Sequence, residues 1–452
     1  MPTYTRSIEL DSPRPAVWDW HLRPGALERL TPPFESSEVI SSGGVADGAR
    51  VVVRAGVMPG VDSVWTMEHY DVVAPEHFRD RMLRGPFDRW DHLHRFEPLG
   101  PARTRATDEI SWSLPLGAIG ALGDGRVRAR IARMFTYRHA TLAADLAEQA
   151  RAEGRTLRVA ITGASGLLGR QLAAFLRTGG HQVVPLVRGM PKEGEISWDP
   201  AGNWDASALD GYDAVIHLAG EPIAGGRWTV ARKARIRTSR VEGTHGLVAA
   251  LAKLARPPRT LISASAMGIY GDRGDELLTE ASTTGADFLA EVTRGWESAA
   301  KPLGERGTRL VHLRFGVLLS PSGGALAKML PPMLAGAGGR LGSGKQWMSW
   351  LGLDDAIYLV HRALLDDRYR GAINAVTPTP HTNADFTAVL GQVLGRPTYL
   401  PVPALVLKLL FGEMARSTIL ASQRLVPARL QTLGFEWRYP ELEGTLRHLL
   451  GR

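Results

Sequence analysis

The chain has 452 residues, 44% of them hydrophobic and 22% charged, with a formal net charge of +8. That length exceeds one ordinary domain and the composition is globular, so two or three domains are expected. Cysteine is absent, which excludes disulfides, thiolate metal sites and cysteine nucleophiles. The arginines are scattered rather than clustered with aromatics; the densest basic stretch, 126–133, reads as a solvated helix face, and no nucleic-acid partner is expected. The first ten residues lack the apolar core of a signal peptide, and no apolar run is long enough to span a bilayer. The expected location is the cytoplasm.

In chain order, alternating Tyr4, Ile8 and Leu10 predict a strand. Residues 11–15 supply a cap and early prolines that open a short helix through Val17 and Trp20. A second short helix holds Leu27 and Leu30 and is stopped by Pro32 and Pro33. Strand-like runs follow at 50–55, 64–73, 77–83, 90–96 and 104–114, separated by Gly/Pro turns. A long helix over 126–150 carries Ile131, Met134, Phe135, Leu142 and Leu146 on one side. Trp65, Trp90 and Trp112 read as core of this sheet. His69, His92, His94 and His139 show no metal-ligand spacing, so they read as structural or solvated and no metal is expected. This order of elements is a helix-grip α+β domain over 1–150, and it resembles the START-like, polyketide-cyclase-like (SRPBCC) superfamily. The resemblance implies a sheet wrapped on the long helix around a cavity for an apolar ligand. The polar segment 148–155 is the expected linker.

Residues 157–169 run an apolar strand into three glycines at three-residue intervals and then a helix. This is the pattern of a dinucleotide-binding turn: Gly163 for the tight turn, Gly166 for backbone approach to a pyrophosphate, Gly169 for packing of the helix that carries Leu172, Phe175 and Leu176. The start of that helix presents free N–H groups to phosphate. The next strand, 181–188, ends in Arg188, where an Asp or Glu would hold the ribose 2′-hydroxyl of NAD. A guanidinium there pairs with a 2′-phosphate, which favours NADP(H). The run 212–220 is almost wholly apolar, as for a parallel strand buried on both faces, and its small Ala219 and Gly220 leave room for a nucleotide. His217 within it reads as a satisfied core histidine.

Beyond lie a basic helix with Lys233, Arg235, Arg237, Ser239 and Arg240, and a buried strand at 260–271 with Ser263, Ser265 and Tyr270 toward its carboxyl end. The stretches 287–297, 310–320 and 338–355 follow. Together with 162–169 and 217–221, these motifs resemble an extended short-chain dehydrogenase/reductase, and more narrowly the atypical "epimerase family", also labelled sugar-nucleotide epimerases, from Arg158 to the C-terminus. The resemblance implies a Rossmann-like doubly wound parallel sheet preceded by the helix-grip domain. It implies an NAD(P)-binding domain over 156–395 and a small family-specific C-terminal domain over 396–452, where 405–411 reads as a packed helix too short for a membrane. It also implies a cofactor site of Thr162, Gly163, Ser165, Gly166, Leu167, Leu168, Arg188, Leu218, Ala219, Gly220, Arg240, Ser263 and Val317.

The departure from the larger superfamily concerns catalysis. Its reductases pair a tyrosine with a lysine four residues later, and the ammonium lowers the phenol pKa. None of the nine tyrosines here has that lysine; Tyr270 is followed by Gly274 and Tyr358 by Arg362. Ser265 and Tyr270 are the substitute catalytic candidates, with Glu280 or Glu291 as a carboxylate source. Trp347 and Trp350 read as an apolar substrate wall or as domain packing. The expected function is an NADP(H)-dependent oxidoreductase of a small-molecule substrate with an altered acid/base set. Its rivals are a non-catalytic NADP(H)-binding regulatory or scaffold protein and a sugar-nucleotide epimerase.

Overall fold

The structure, a computed structural model, describes residues 1–58, 61–117 and 119–452. Residue contacts divide the chain into two units. One comprises Met1–Thr156, Ala174–His181 and His448–Arg452; the other comprises Leu157–Ala173 and Gln182–Arg447.

The first unit contains β1 (Thr3–Leu10), α1 (Arg14–Leu22), α2 (Ala26–Leu30), β2 (Ser37–Ser42), β3 (Arg50–Met58), β4 (Val61–Val73), β5 (His77–Arg84), β6 (Arg89–Gly100), β7 (Arg103–Ser113) and α3 (Asp124–Ala150). The strands form one antiparallel sheet in the order β1-β7-β6-β5-β4-β3-β2. Period-two burial is clearest on β7, where Thr104, Ala106, Asp108, Ile110 and Trp112 face inward. The α3 helix buries Ile131, Phe135, His139, Leu142 and Leu146, one stripe at spacings of three and four. Trp90, Ile110, Trp112, Ile131 and Phe135 form one apolar cluster; Leu10, Val17, Trp18, Trp20, Phe78, Phe96, Leu142 and Leu146 belong to another. Trp90 and Trp112 are core, as expected, whereas Trp65 is half-buried at the edge of the cluster, edge-on to Trp90.

Two local expectations change. The α1 helix has no side-chain cap, because its N-cap is Pro13; Pro15 sits in its first turn, where its fixed φ is already helical and its missing N–H is not needed. Strand β2 was not expected, since Ser-Glu-Val-Ile-Ser-Ser is a mostly exposed edge strand with little apolar signal.

The second unit contains β8 (Arg158–Thr162), α4 (Leu167–Thr178, whose last residues count with the first unit), β9 (Gln182–Val187), β10 (Ile196–Ser197), β11 (Ala214–His217), α5 (Val230–Leu251), β12 (Thr260–Ala266), β13 (Leu277–Leu278), α6 (Phe288–Ala299), α7 (Lys301–Glu305), β14 (Arg309–Phe315), β15 (Val317–Leu319), α8 (Gly324–Leu334), β16 (Trp347–Met348), β17 (Trp350–Gly352), α9 (Leu353–Leu365), β18 (Gly371–Ala375), β19 (His381–Thr382), α10 (Asn383–Leu394), α11 (Ala404–Phe411), β20 (Arg424–Leu425), α12 (Ala428–Thr432) and α13 (Leu442–Leu450). Seven strands make a parallel Rossmann-like sheet in the order β10-β9-β8-β11-β12-β14-β18. Its central strands are buried on both faces, which is why they read as continuous apolar runs. Helices α5 and α6 start on side-chain caps, Thr229 accepting from the Arg232 N–H and Asp287 from the Ala290 N–H.

No contact boundary falls at residue 396. The C-terminal segment to Arg447 packs within the second unit: β20 pairs with β13 in a small separate sheet, Asn374 of β18 donates to the Val426 carbonyl, and the Asp355 carboxylate on α9 accepts from the Arg438 N–H. Among the described residues, no helix is long and apolar enough to cross a membrane.

Candidate functional site

The turn after β8 is built by steric necessity. Gly163 has φ +70°, and a Cβ there would lie 2.8 Å from the Leu218 carbonyl carbon, so the turn rests directly on the end of β11. A Cβ on Gly169 would lie 2.2 Å from the Gly163 oxygen, which lets α4 pack onto the turn. Gly166 differs: it is exposed, and a Cβ would meet only the Gly163 oxygen, at 3.2 Å, leaving its outer side open. The Gly166 N–H donates to Gly163 O, and the first bond into α4 runs from the Arg170 N–H to Gly166 O. The N–H groups of Leu167 and Leu168 therefore open the helix as orphan donors. Ser165 is exposed, Leu167 half-buried and Leu168 buried.

Thr162 lies beneath this surface rather than on it. It is fully buried, and its hydroxyl accepts from the Leu218 and Ala219 N–H groups while meeting His217 Nδ1 at 2.7 Å. With two donors already on that oxygen, its proton goes to Nδ1, and His217 Nε2–H then donates to Thr244 Oγ1 at 2.9 Å. Burial pushes the His217 pKa down to about 4. The residue is the neutral, satisfied core histidine expected from the sequence. Ser263 is likewise buried, its hydroxyl donating to the Ala264 carbonyl.

Two guanidiniums stand at the strand ends. Arg188 directly follows β9, is exposed, and has no ion-pair partner among the described residues. Arg240, on α5, lies 3.3 Å from where a Gly220 Cβ would be, so the glycine lets it reach across the end of β11. It donates to the Glu221 carbonyl at 3.0 Å and stacks on Trp296 at 5.1 Å, with no carboxylate at ion-pair distance among the described residues. Burial lowers its pKa to about 10. Leu218 and Ala219, just past β11, and Val317, which opens β15 two residues past β14, are half-buried.

Ser265 and Tyr270 are brought into one hydrogen-bonded chain that is turned inward. Ser265 donates to Glu297 Oε1 at 2.6 Å, Glu297 forms a two-pronged ion pair with Arg314 at 2.8 and 2.9 Å, and Arg314 donates to the Tyr270 oxygen at 2.9 Å. Tyr270, with no exposed surface, donates in turn to Asn374 Oδ1 at 2.7 Å. Both capacities of its hydroxyl are occupied, and burial raises its pKa despite Arg314. It is held as a neutral phenol, the reverse of what a neighbouring lysine would do. Sequence reasoning missed Glu297, Arg314 and Asn374; the available signal was Arg314 inside an apolar strand, where a charge requires a partner.

The other candidates disperse. Glu280 accepts from the backbone N–H groups of Asn374 and Arg429, and Glu291 forms an exposed ion pair with Arg237. Trp350 is core, its indole donating to His381. Trp347 stacks on the Arg424 guanidinium and donates to Asp275.

Residues 159–375 match the NAD dependent epimerase/dehydratase family, and residues 402–449 match a domain of unknown function, DUF1731. The chain is 41% identical over 283 residues to an epimerase family protein of Mycobacterium bovis, covering 62% of this chain and 93% of that protein. It matches the crystal structure of a nucleoside-diphosphate sugar epimerase from Corynebacterium glutamicum with a TM-score of 0.81 and 38% identity, over 99% of this chain and 90% of that one. It matches human epimerase family protein SDR39U1 (isoform 2), crystallised with NADPH, with a TM-score of 0.62 and 33% identity, over 65% of this chain and 99% of that one. With the β8 turn and the parallel sheet as its structural mark, the chain belongs to the epimerase family.

Proposed function

We propose that the second unit binds NADP(H) and acts as an atypical short-chain dehydrogenase/reductase on a small-molecule substrate. The observation that carries this reading is Arg188: an exposed guanidinium without an ionic partner among the described residues, one residue past β9, where a 2′-phosphate would neutralise it. The open side of Gly166 and the orphan N–H groups of Leu167 and Leu168 suit a pyrophosphate. Gly163, Ser165, Leu218, Ala219, Gly220 and Val317 would shape the wall, Arg240 would add positive charge, and Thr162 and Ser263 would support the wall from below. The NADPH-bound human relative supports the same choice of cofactor. When bound, the cofactor carries the hydride; the chain's own part is to orient it and exclude water. Ser265 and Tyr270 act here through the Glu297–Arg314 chain, as positioning residues that stiffen the ends of β12 and β14.

A second reading, an NADP(H)-binding regulatory or scaffold protein, is favoured by the full commitment of the Tyr270 hydroxyl. A third, a sugar-nucleotide epimerase, draws on the name of the Corynebacterium relative. Calorimetry with NADPH and NADH, then turnover assays with carbonyl compounds and nucleotide sugars, separates them. Selective NADPH binding with turnover of a carbonyl compound is the expected result. Equal affinity for both cofactors overturns the cofactor assignment, and tight binding without turnover selects the scaffold.

Within the same proposal, residues 1–150 form a START-like helix-grip domain for an apolar ligand, 156–395 the nucleotide domain and 396–452 a family-specific extension, in a cytoplasmic protein. The strand and helix order and the tryptophan-rich inner face support the first of these.

A further inference from the structure

The register of the antiparallel sheet places ionisable groups on one inner face. Asp80 on β5 is paired with His92 on β6, and His94 with Asp108 on β7. Paired residues, and residues two apart on one strand, share a face. His139 reaches the same spot from the apolar stripe of α3. His92 Nδ1 and His94 Nε2 each lie 3.3 Å from Asp80 Oδ2, and one ligand atom from each of the three residues lies within 4.8 Å of the others. The opposite ring nitrogens, His92 Nε2 and His94 Nδ1, meet Asp108 Oδ1 at 3.0 and 2.9 Å, and His139 Nε2 meets Asp108 Oδ2 at 2.7 Å.

We propose that His92 Nδ1, His94 Nε2 and Asp80 Oδ2 bind a divalent transition-metal cation of the Zn2+ class, with Asp108 orienting both imidazoles. Two ligands each about 2.0 Å from a tetrahedral ion stand about 3.3 Å apart, which is the separation of both His–Asp pairs. Ligating histidines typically donate their other N–H to a carboxylate; here His92 Nε2 bonds Asp108 Oδ1, and His94 Nδ1 lies 2.9 Å from the same oxygen. Two nitrogens and one oxygen favour zinc-like ions over calcium or magnesium, which take oxygen ligands. Three protein ligands leave a coordination position for water or for an oxygen-bearing ligand. Asp80 and His94 keep 14% and 13% of their side-chain surface exposed, a route for the ion. This site is independent of the nucleotide reading.

The test uses the full chain, stripped with a chelator and titrated with Co2+ and then Zn2+. Expected are one equivalent bound at micromolar affinity or tighter, tetrahedral Co2+ absorption bands, and displacement by Zn2+. Asp108→Asn should weaken the affinity about ten- to hundredfold and keep the bands. His92→Ala/His94→Ala should abolish both, and exposed His245→Ala should change neither. Because the double variant can lose its fold, the decision is read on the parent chain: X-ray absorption of its zinc form should show two imidazoles. Failure of the stripped parent to take up one tight equivalent, or a bound ion without imidazole neighbours, overturns the site.

Discussion

The two sheets bury polar groups in different ways. In the parallel sheet two buried polar groups close on themselves: His217 sits neutral between two threonines, and Arg314 and Glu297 match charge for charge and prong for prong. The antiparallel unit holds such a pair in Arg29 and Asp145, bonded at 2.8 and 2.7 Å with almost no exposure. Its inner face also carries Asp80 and Asp108, shared among three histidines. A closed pair stabilises a fold in its own right or costs little, whereas an acceptor-rich cluster of mixed donors is costly unless a cation completes it. That difference separates a scaffold from a candidate site more sharply than burial does.

The sharpest way to break the comparison is to open a closed pair. Glu297→Ala leaves Arg314 buried and unpaired, and should lower the unfolding free energy by about 3–5 kcal/mol. Removing both charges with Glu297→Leu/Arg314→Met should restore most of it; urea denaturation of the two variants checks this, and equal losses would deny that the pair is closed.

His217 gives the next effect. Its folded pKa, about 4, lies below the ordinary 6.5, so the unfolded chain binds more protons between those values and stability falls as pH drops through that window. The loss amounts to about 3 kcal/mol once pH is below 4. It is read as the difference between the parent and His217→Gln, whose amide can replace both ring contacts but does not titrate. Parallel pH profiles of the two proteins would remove His217 as the cause.

At the rim of the second unit, Arg188→Asp should weaken NADPH about ten- to hundredfold and NADH far less, since a charge-assisted contact contributes about 1.5–3 kcal/mol. Calorimetry decides, and an equal loss for both cofactors would place Arg188 elsewhere than on the 2′-phosphate. The smallest change in stability is expected for Gly166→Ala, within about 0.5 kcal/mol, because its Cβ meets one carbonyl oxygen at 3.2 Å and otherwise open space. Cofactor affinity should nevertheless drop, since that methyl occupies the open side. Gly163→Ala, at φ +70° and against β11, should instead destabilise the fold, and thermal melts beside NADPH titrations distinguish the two glycines.

The β8 turn, the burial of β11 and the position of Arg188 were legible in the sequence because each is a local matter. Three glycines at fixed spacing meet steric rules that operate within about ten residues, and an apolar run without alternation already implies a parallel strand covered on both faces. The stripe on α3 was legible for the same reason, through its 3.6-residue period. What only the tertiary structure decided is which distant polar groups meet. His92 and His139 lie on different elements and converge on Asp108 through strand register and helix placement, which no spacing along the chain encodes. Tyr270 looked available at a strand end, yet Arg314 from β14 and Asn374 from β18 close around its hydroxyl. Local backbone preference acts between neighbours in sequence, whereas charge and hydrogen-bond satisfaction act between neighbours in space.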